Sequence, residues 1–218
     1  MPLLKGQWHL YCIIFREKRQ ISGYCFSCGI IMSQPLLHGI ISSQEEKKVV
    51  FFTADLHLGH KRIINYQNRP FEDVREMDRT LISNYNAMVG NADTVYLLGD
   101  LCHHMTAEEA NEVISRLKGK KILIRGNHDK KYDASLFEEI TDFKTISANG
   151  IYIALMHYPM LSWPKSHHGS LQLHGHVHGR REDNEANRDA GIRRYDVGVD
   201  ANDFYPVSIK QILSFFEV

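Results

Sequence analysis

The chain has 218 residues, 43% of them apolar and 24% charged, the balance of an ordinary globular protein with material for one well-cored domain rather than two. Lys plus Arg and Asp plus Glu both total 26, so the formal net charge is zero and the basic excess of a nucleic-acid-binding protein is absent. No run of eighteen or more apolar residues occurs, so a membrane span is not expected.

Residues 1–47 are irregular and hold three of the four cysteines, and a polar S-S-Q-E-E-K-K run at 42–48 leads into the first clear strand. They read as an N-terminal extension to a domain over residues 48–218, with Met32 as an internal start that would cost the chemistry nothing. The opening does not read as a secretory signal, because His9 interrupts its apolar run and Arg16, Glu17, Lys18 and Arg19 follow. Cys25 and Cys28 form a C-x-x-C pair, but no second pair completes a zinc ribbon. The cysteines are too few and too unevenly placed for a disulfide framework, so a reducing, cytoplasmic setting is expected.

From Val49 the pattern alternates between strands and helices. V-V-F-F-T-A reads as a buried strand ending just before Asp55. Over residues 75–89, Met77, Leu81, Ile82, Tyr85 and Met88 recur at spacings of three and four, an amphipathic helix closed by Gly90. T-V-Y-L-L is the next strand, ending at Gly99 and Asp100. Thr106 and Glu109 form a capping box for a helix through Val113, Ile114 and Leu117, stopped by Gly119. K-I-L-I, I-Y-I-A-L-M and S-L-Q-L-H are further strands, ending at Arg125, His157 and Gly175. R-R-Y-D-V-G-V-D suggests one more strand with a glycine break, and S-I-K-Q-I-L-S-F-F a terminal helix started by Pro206 and Ser208.

Metal-type side chains stand where these strands give way to loops, the place where an α/β sheet builds its sites. They are Asp55 and His57 in D-L-H-L-G-H, Asp100 in L-L-G-D, Asn127 in R-G-N-H-D, His157 in M-H-Y-P, and His176 and His178 in H-G-H-V-H-G. A solvated or core histidine explains any one of these positions, but not all of them in this order, each after a strand. Two ions sharing one bridging carboxylate need about this inventory of oxygen and imidazole donors. Mixed His, Asp and Asn ligation suits Mn²⁺, Fe²⁺, Zn²⁺, Co²⁺ or Ni²⁺ above Mg²⁺, with Mn²⁺ favoured.

The series D-x-H, G-D, G-N-H-D, a lone His after a strand, then G-H-x-H resembles the signature of the calcineurin-like metallophosphoesterase superfamily over residues 49–200. N-R-P-F at 68–71, E-M-D at 76–78 and V-G-V-D-A-N at 197–202 resemble a small bacterial and phage branch of predicted phosphoesterases. The resemblance implies an α/β fold, a four-layer α/β/β/α sandwich in a single domain. It also implies one divalent ion on Asp55, His57 and His178, a second on Asn127, His157 and His176, and Asp100 bridging both. In the same pattern His128 is a non-ligand histidine held by Asp129 and a candidate general acid for the leaving oxygen. The chemistry implied is hydrolysis of a phosphate ester, a phosphodiester before a monoester, by a metal-bridging hydroxide.

Alternatives on the same site are a nucleotide pyrophosphatase or cyclic nucleotide phosphodiesterase, and outside catalysis a binding scaffold. Phosphoprotein phosphatases of the superfamily continue G-D into V-D-R-G, whereas here G-D-L-C-H-H follows and that arginine is absent. His60, Arg125 and Arg180 flank the motifs and are candidates for phosphate contact. His103 and His104 could line the pocket, and Cys102 between them reads as a packing residue. The expected partner is a small phosphate ester or nucleotide, without membrane; zero net charge disfavours nucleic acid but leaves room for a local basic strip, and the oligomeric state stays open.

Overall fold

The computed structural model describes residues 48–129 and 132–218, so the expectations for residues 1–47, the Cys25/Cys28 pair and the start at Met32 lie outside the described residues. The strands in chain order are β1 (Val50–Thr53), β2 (Thr94–Leu97), β3 (Lys120–Ile124), β4 (Glu139–Thr141), β5 (Phe143–Ala148), β6 (Ile151–Met156), β7 (Leu171–His174), β8 (Arg194–Asp196) and β9 (Val207–Ser208). The helices are α1 (Ile63–Tyr66), α2 (Val74–Met88), α3 (Ala107–Ser115), α4 (Arg181–Asp189) and α5 (Ile209–Phe215). One sheet has the order β4-β3-β2-β1-β9, parallel except for β9; the other has the order β5-β6-β7-β8, parallel except for β5.

Alternation along the first sheet's strands builds two cores. Phe51, Val95, Leu97 and Leu123 face α2 and α3, meeting Met77, Leu81, Tyr85, Ala110 and Ile114. Their neighbours Phe52, Tyr96, Leu98 and Ile124 face the second sheet, meeting Ile153, Leu155, Leu171 and Leu173. Side chains that alternate with period two and are buried on both faces produce the near-continuous apolar runs of the sequence. α4 packs on β8 at the far side of the second sheet, which completes the α/β/β/α order of layers.

Local chemistry sets the helix boundaries. Asp73 caps α2 by accepting from the Glu76 N–H at 2.8 Å. The capping box forms as expected, with Thr106 Oγ1 accepting from the Glu109 N–H at 3.2 Å and Glu109 Oε2 from the Thr106 N–H at 2.8 Å; Ser208 and Gln211 form another for α5. Met88, expected on the buried face of α2, is 40% exposed because the helix ends there. β4, β5, α1 and α4 were not expected from the sequence. α4, R-E-D-N-E-A-N-R-D, has no apolar stripe, and Asn184 is its one buried residue. The Asn184 amide donates to the Asp196 carbonyl at 3.0 Å and accepts from the Asp196 N–H at 2.7 Å, so a side chain stands in for a neighbouring strand. Among the described residues no helix is long and apolar enough to cross a membrane.

Candidate metal centre

The parallel pairing of β1 and β2 continues past the strand ends and brings two loops together. Asp55 N–H donates to the Gly99 carbonyl at 3.0 Å, His57 N–H to Asp100 at 3.0 Å, and Leu58 N–H to Leu101 at 2.9 Å. Asp55, His57, Asp100, His176 and His178 all hold a left-handed backbone, with φ between 49° and 73°. Asp and His are among the non-glycine residues that enter this region most readily, so donor chemistry and backbone chemistry select the same side chains. Gly99 has φ +88°, and a Cβ there would lie 2.6 Å from His157 Nδ1. A Cβ at Gly175 would run into the Asp55 carboxylate.

The loops bring the seven donors into one centre. Asp100 Oδ2 lies 3.6 Å from His57 Nε2 and 3.6 Å from His157 Nε2, between the two halves of the donor set. One ligand atom from each of Asp55, His57 and His178 falls within 4.8 Å of the others, and the same holds for Asp55, Asp100 and His157. Asn127 Oδ1 is 3.1 Å from His157 Nε2 and 3.0 Å from His176 Nδ1. His157 Nδ1 is 2.7 Å from the Leu98 carbonyl, which only accepts, so the proton is on Nδ1 and the Nε2 lone pair faces the centre. His178 Nδ1 is held at 2.8 Å by Asp200 Oδ2 with the same result.

These lone pairs converge without enough protons to share. Asp55 Oδ1 and both ring nitrogens of His57 are buried with no hydrogen-bond partner among the described residues. Each such group costs on the order of 1–3 kcal/mol. Burial, then the neighbouring carboxylates of Asp196 and Asp100, raises the Asp55 carboxyl well above its ordinary range. Burial, then the charges of His178 and Arg69, lowers His57 to about 2, so its imidazole is neutral, the form that ligates a metal. Divalent cations among these groups would satisfy the orphaned atoms and offset the carboxylate charge. The donor set therefore fits metal ions.

The flanking residues divide. His128 donates its backbone N–H to Asp100 Oδ1 at 2.8 Å and places its ring 5.5 Å from that of His57. The expected hydrogen bond from Asp129 to the His128 ring is not among those of the described residues. The Asp129 carboxylate instead accepts from the N–H groups of Gly126, Asp100 and Leu101 and from the Tyr132 hydroxyl, which ties the turn to the neighbouring loop. Arg125 is not brought to the centre, because Asp142 takes its guanidinium at 2.7 and 3.0 Å on the surface. Arg180 gives its guanidinium to the Gln67 carbonyl and its N–H to Asp183 at 2.7 Å, which makes it a brace at the start of α4. His60 does join the site, its ring 5.5 Å from that of His57. Burial pushes the Cys102 thiol up to about 12, as suits a packing residue.

Two residues the motif reading missed hold the centre from behind. Arg69 bonds both Asp200 oxygens at 2.9 and 2.8 Å, and donates to the Leu56 and Asp55 carbonyls at 3.0 and 2.8 Å, with both side chains fully buried. Burial acts to raise the Asp200 carboxyl, but hydrogen bonds from His178 and Arg69 hold it below its ordinary value. The signal was present in N-R-P-F and V-G-V-D-A-N, whose segments stood out while their contact was invisible.

The family model described as calcineurin-like phosphoesterase matches residues 48–176, more than half of the chain. The chain belongs to this family. Members are metal-dependent hydrolases of phosphate esters, which agrees with the donor set above. An uncharacterized protein of Methanocaldococcus jannaschii is 36% identical over 169 residues, covering 77% of this chain and 91% of that protein. The gene 66 protein of Mycobacterium phage L5 is 30% identical over 182 residues, covering 69% and 86%. A crystal structure of a protein of unknown function from Aquifex aeolicus matches with a TM-score of 0.62 and 31% identity, over 77% of this chain and 98% of that one. Calcineurin-like phosphoesterase chemistry accounts for why so many donors stand at strand ends.

Proposed function

We propose that this calcineurin-like phosphoesterase is a dinuclear hydrolase of phosphodiesters, with Asp55, His57 and His178 holding one ion, Asn127, His157 and His176 the other, and Asp100 shared. The observation that carries this reading is the position of Asp100 Oδ2, equidistant at 3.6 Å from the Nε2 atoms of His57 and His157. When bound, two such ions activate water for in-line displacement at phosphorus and offset the charge developing on its oxygens. Mn²⁺ is the ion proposed for activity, in a cytoplasmic setting, with a small phosphate ester or nucleotide as substrate.

His128 is the proposed proton donor to the leaving oxygen. Its ring is exposed at the mouth of the site, and its backbone is pinned to Asp100, so the imidazole reaches substrate from a fixed base. The diester preference follows from charge. A monoester dianion asks for more positive side chains than a diester monoanion. Both arginines beside the motifs are committed elsewhere, Arg125 to Asp142 and Arg180 to Gln67.

The test is hydrolysis of bis-p-nitrophenyl phosphate and p-nitrophenyl phosphate by metal-stripped protein resupplied with Mn²⁺. The expected outcome is metal-dependent turnover with the diester preferred, and a kcat loss of about 10²–10⁴ in His128→Ala. Absence of metal-dependent turnover of both esters would overturn the hydrolase reading, and preference for the monoester would overturn the diester.

A further inference from the structure

Beside the Asp100-centred donors, three more histidines converge. His60 comes from the loop after β1, and His103 and His104 from the loop after β2. One ring nitrogen from each lies within 4.8 Å of the corresponding atoms of the other two. The ring centroids of His60 and His103 are 4.1 Å apart, those of His103 and His104 also 4.1 Å, and those of His60 and His104 5.4 Å. His60 is 8% exposed, and its Nδ1 is buried with no hydrogen-bond partner among the described residues.

The backbone holds this arrangement in place. His103 N–H donates to the Leu58 carbonyl at 2.8 Å and His60 N–H to the His57 carbonyl at 3.0 Å. Gly59 between them donates to both Asp78 oxygens at 3.1 Å, and a Cβ there would lie 2.7 Å from the His103 carbonyl oxygen. His104 takes a left-handed backbone, φ 58°, which aims its ring back at its neighbours. Imidazole ligates a metal in its neutral form, through the ring nitrogen that carries no proton.

We propose that His60, His103 and His104 form a third transition-metal site, distinct from the Asp100-centred pair. Three imidazoles leave a fourth position open for water or a substrate oxygen, the arrangement of a catalytic rather than a structural zinc site. The cluster adjoins the His128 ring, 4.6 Å from that of His103, so an ion here would border the proposed proton donor. Zinc–imidazole bonds are about 2.0–2.1 Å, so the rings must draw inward on binding, and the exposed His104 can make most of that movement. Ligation by imidazole alone suits Zn²⁺, Ni²⁺ or Cu²⁺, whereas Mn²⁺ favours sites containing carboxylate. The third site therefore differs from the pair in ion preference.

Counting metal in untagged protein tests this independently of activity. Metal-stripped wild type, His104→Ala, His60→Gln and Asp100→Ala are saturated with Zn²⁺ or Mn²⁺, freed of excess by gel filtration, and analysed by elemental mass spectrometry. The expected result is about three zinc ions but two manganese ions in wild type, and about two zinc ions in His104→Ala and His60→Gln. Two zinc ions in wild type, unchanged by either histidine substitution but reduced by Asp100→Ala, overturns the third site and leaves the dinuclear reading standing. One zinc ion, lost in His104→Ala and retained in Asp100→Ala, overturns the dinuclear reading and keeps the third site. Three zinc ions in every histidine variant overturns the assignment to these residues.

Discussion

Asp78 shows at the scale of one residue how the site's scaffold couples to pH. Its carboxylate clamps the Gly59 N–H at 3.1 Å through both oxygens, yet burial lifts its carboxyl to about 6, against only partial relief from that hydrogen bond and from Arg69. A carboxyl raised on folding favours the folded state when protonated. Its contribution is fully present below the ordinary carboxylate range near 4 and is lost as pH rises through about 6. Asp78→Asn keeps an acceptor for Gly59 and removes the charge. Its stability relative to wild type should therefore improve between pH 5 and pH 8, by about 1 kcal/mol or less after allowance for solvent screening. Urea denaturation at the two pH values checks this, and an unchanged difference would mean that Asp78 is already comfortable as a carboxylate.

Among the elements, the loops rather than the strands carry the precision of the site. Gly99 illustrates the tolerance: its φ of +88° and the 2.6 Å approach of a Cβ to His157 Nδ1 leave no room for a side chain. Gly99→Ala should cost on the order of 1–3 kcal/mol in backbone strain. By displacing His157 it should also weaken metal binding about 10–100-fold, read by competition with a chromogenic chelator. The Arg69–Asp200 pair joins the segment between α1 and α2 to the segment after β8 with both side chains fully buried. Arg69→Met leaves the buried Asp200 carboxylate without its guanidinium, with only the His178 hydrogen bond remaining, and should cost about 3–5 kcal/mol in the metal-free protein. The double variant Arg69→Met with Asp200→Leu should cost less than the sum of the two single changes, because no orphan charge remains. Additive costs in denaturant titrations would show that the pair does not couple.

At the level of the whole molecule, two sheets direct their strand ends to one place, and that place holds buried carboxylates without enough counter-charge. Folding therefore works against electrostatics until cations bind. Stripping the metals with a chelator should lower the melting temperature, and Mn²⁺ should restore it. At an ion concentration of about 100 times Kd the gain is about 2.7 kcal/mol per site, or roughly 5–10 °C for a domain of this size. A melting temperature indifferent to chelator would argue against ions in the folded centre.

The sequence by itself determined the strands that carry the site and the donors at their ends. Apolar runs such as V-V-F-F-T-A and T-V-Y-L-L are buried on both faces, and Asp55, His57, Asp100 and His157 follow them directly, so pattern and motif were legible together. α4 and β5 were not legible, because one has no apolar stripe and the other alternates weakly at a sheet edge. Only the tertiary structure decided which polar side chains work together. Arg69 meets Asp200 across 131 positions of sequence, Arg125 and Arg180 turn to other partners, and His60 joins His103 and His104. Periodicity records which face of an element is buried, whereas a hydrogen bond between distant loops depends on where the packed sheets deliver them in space.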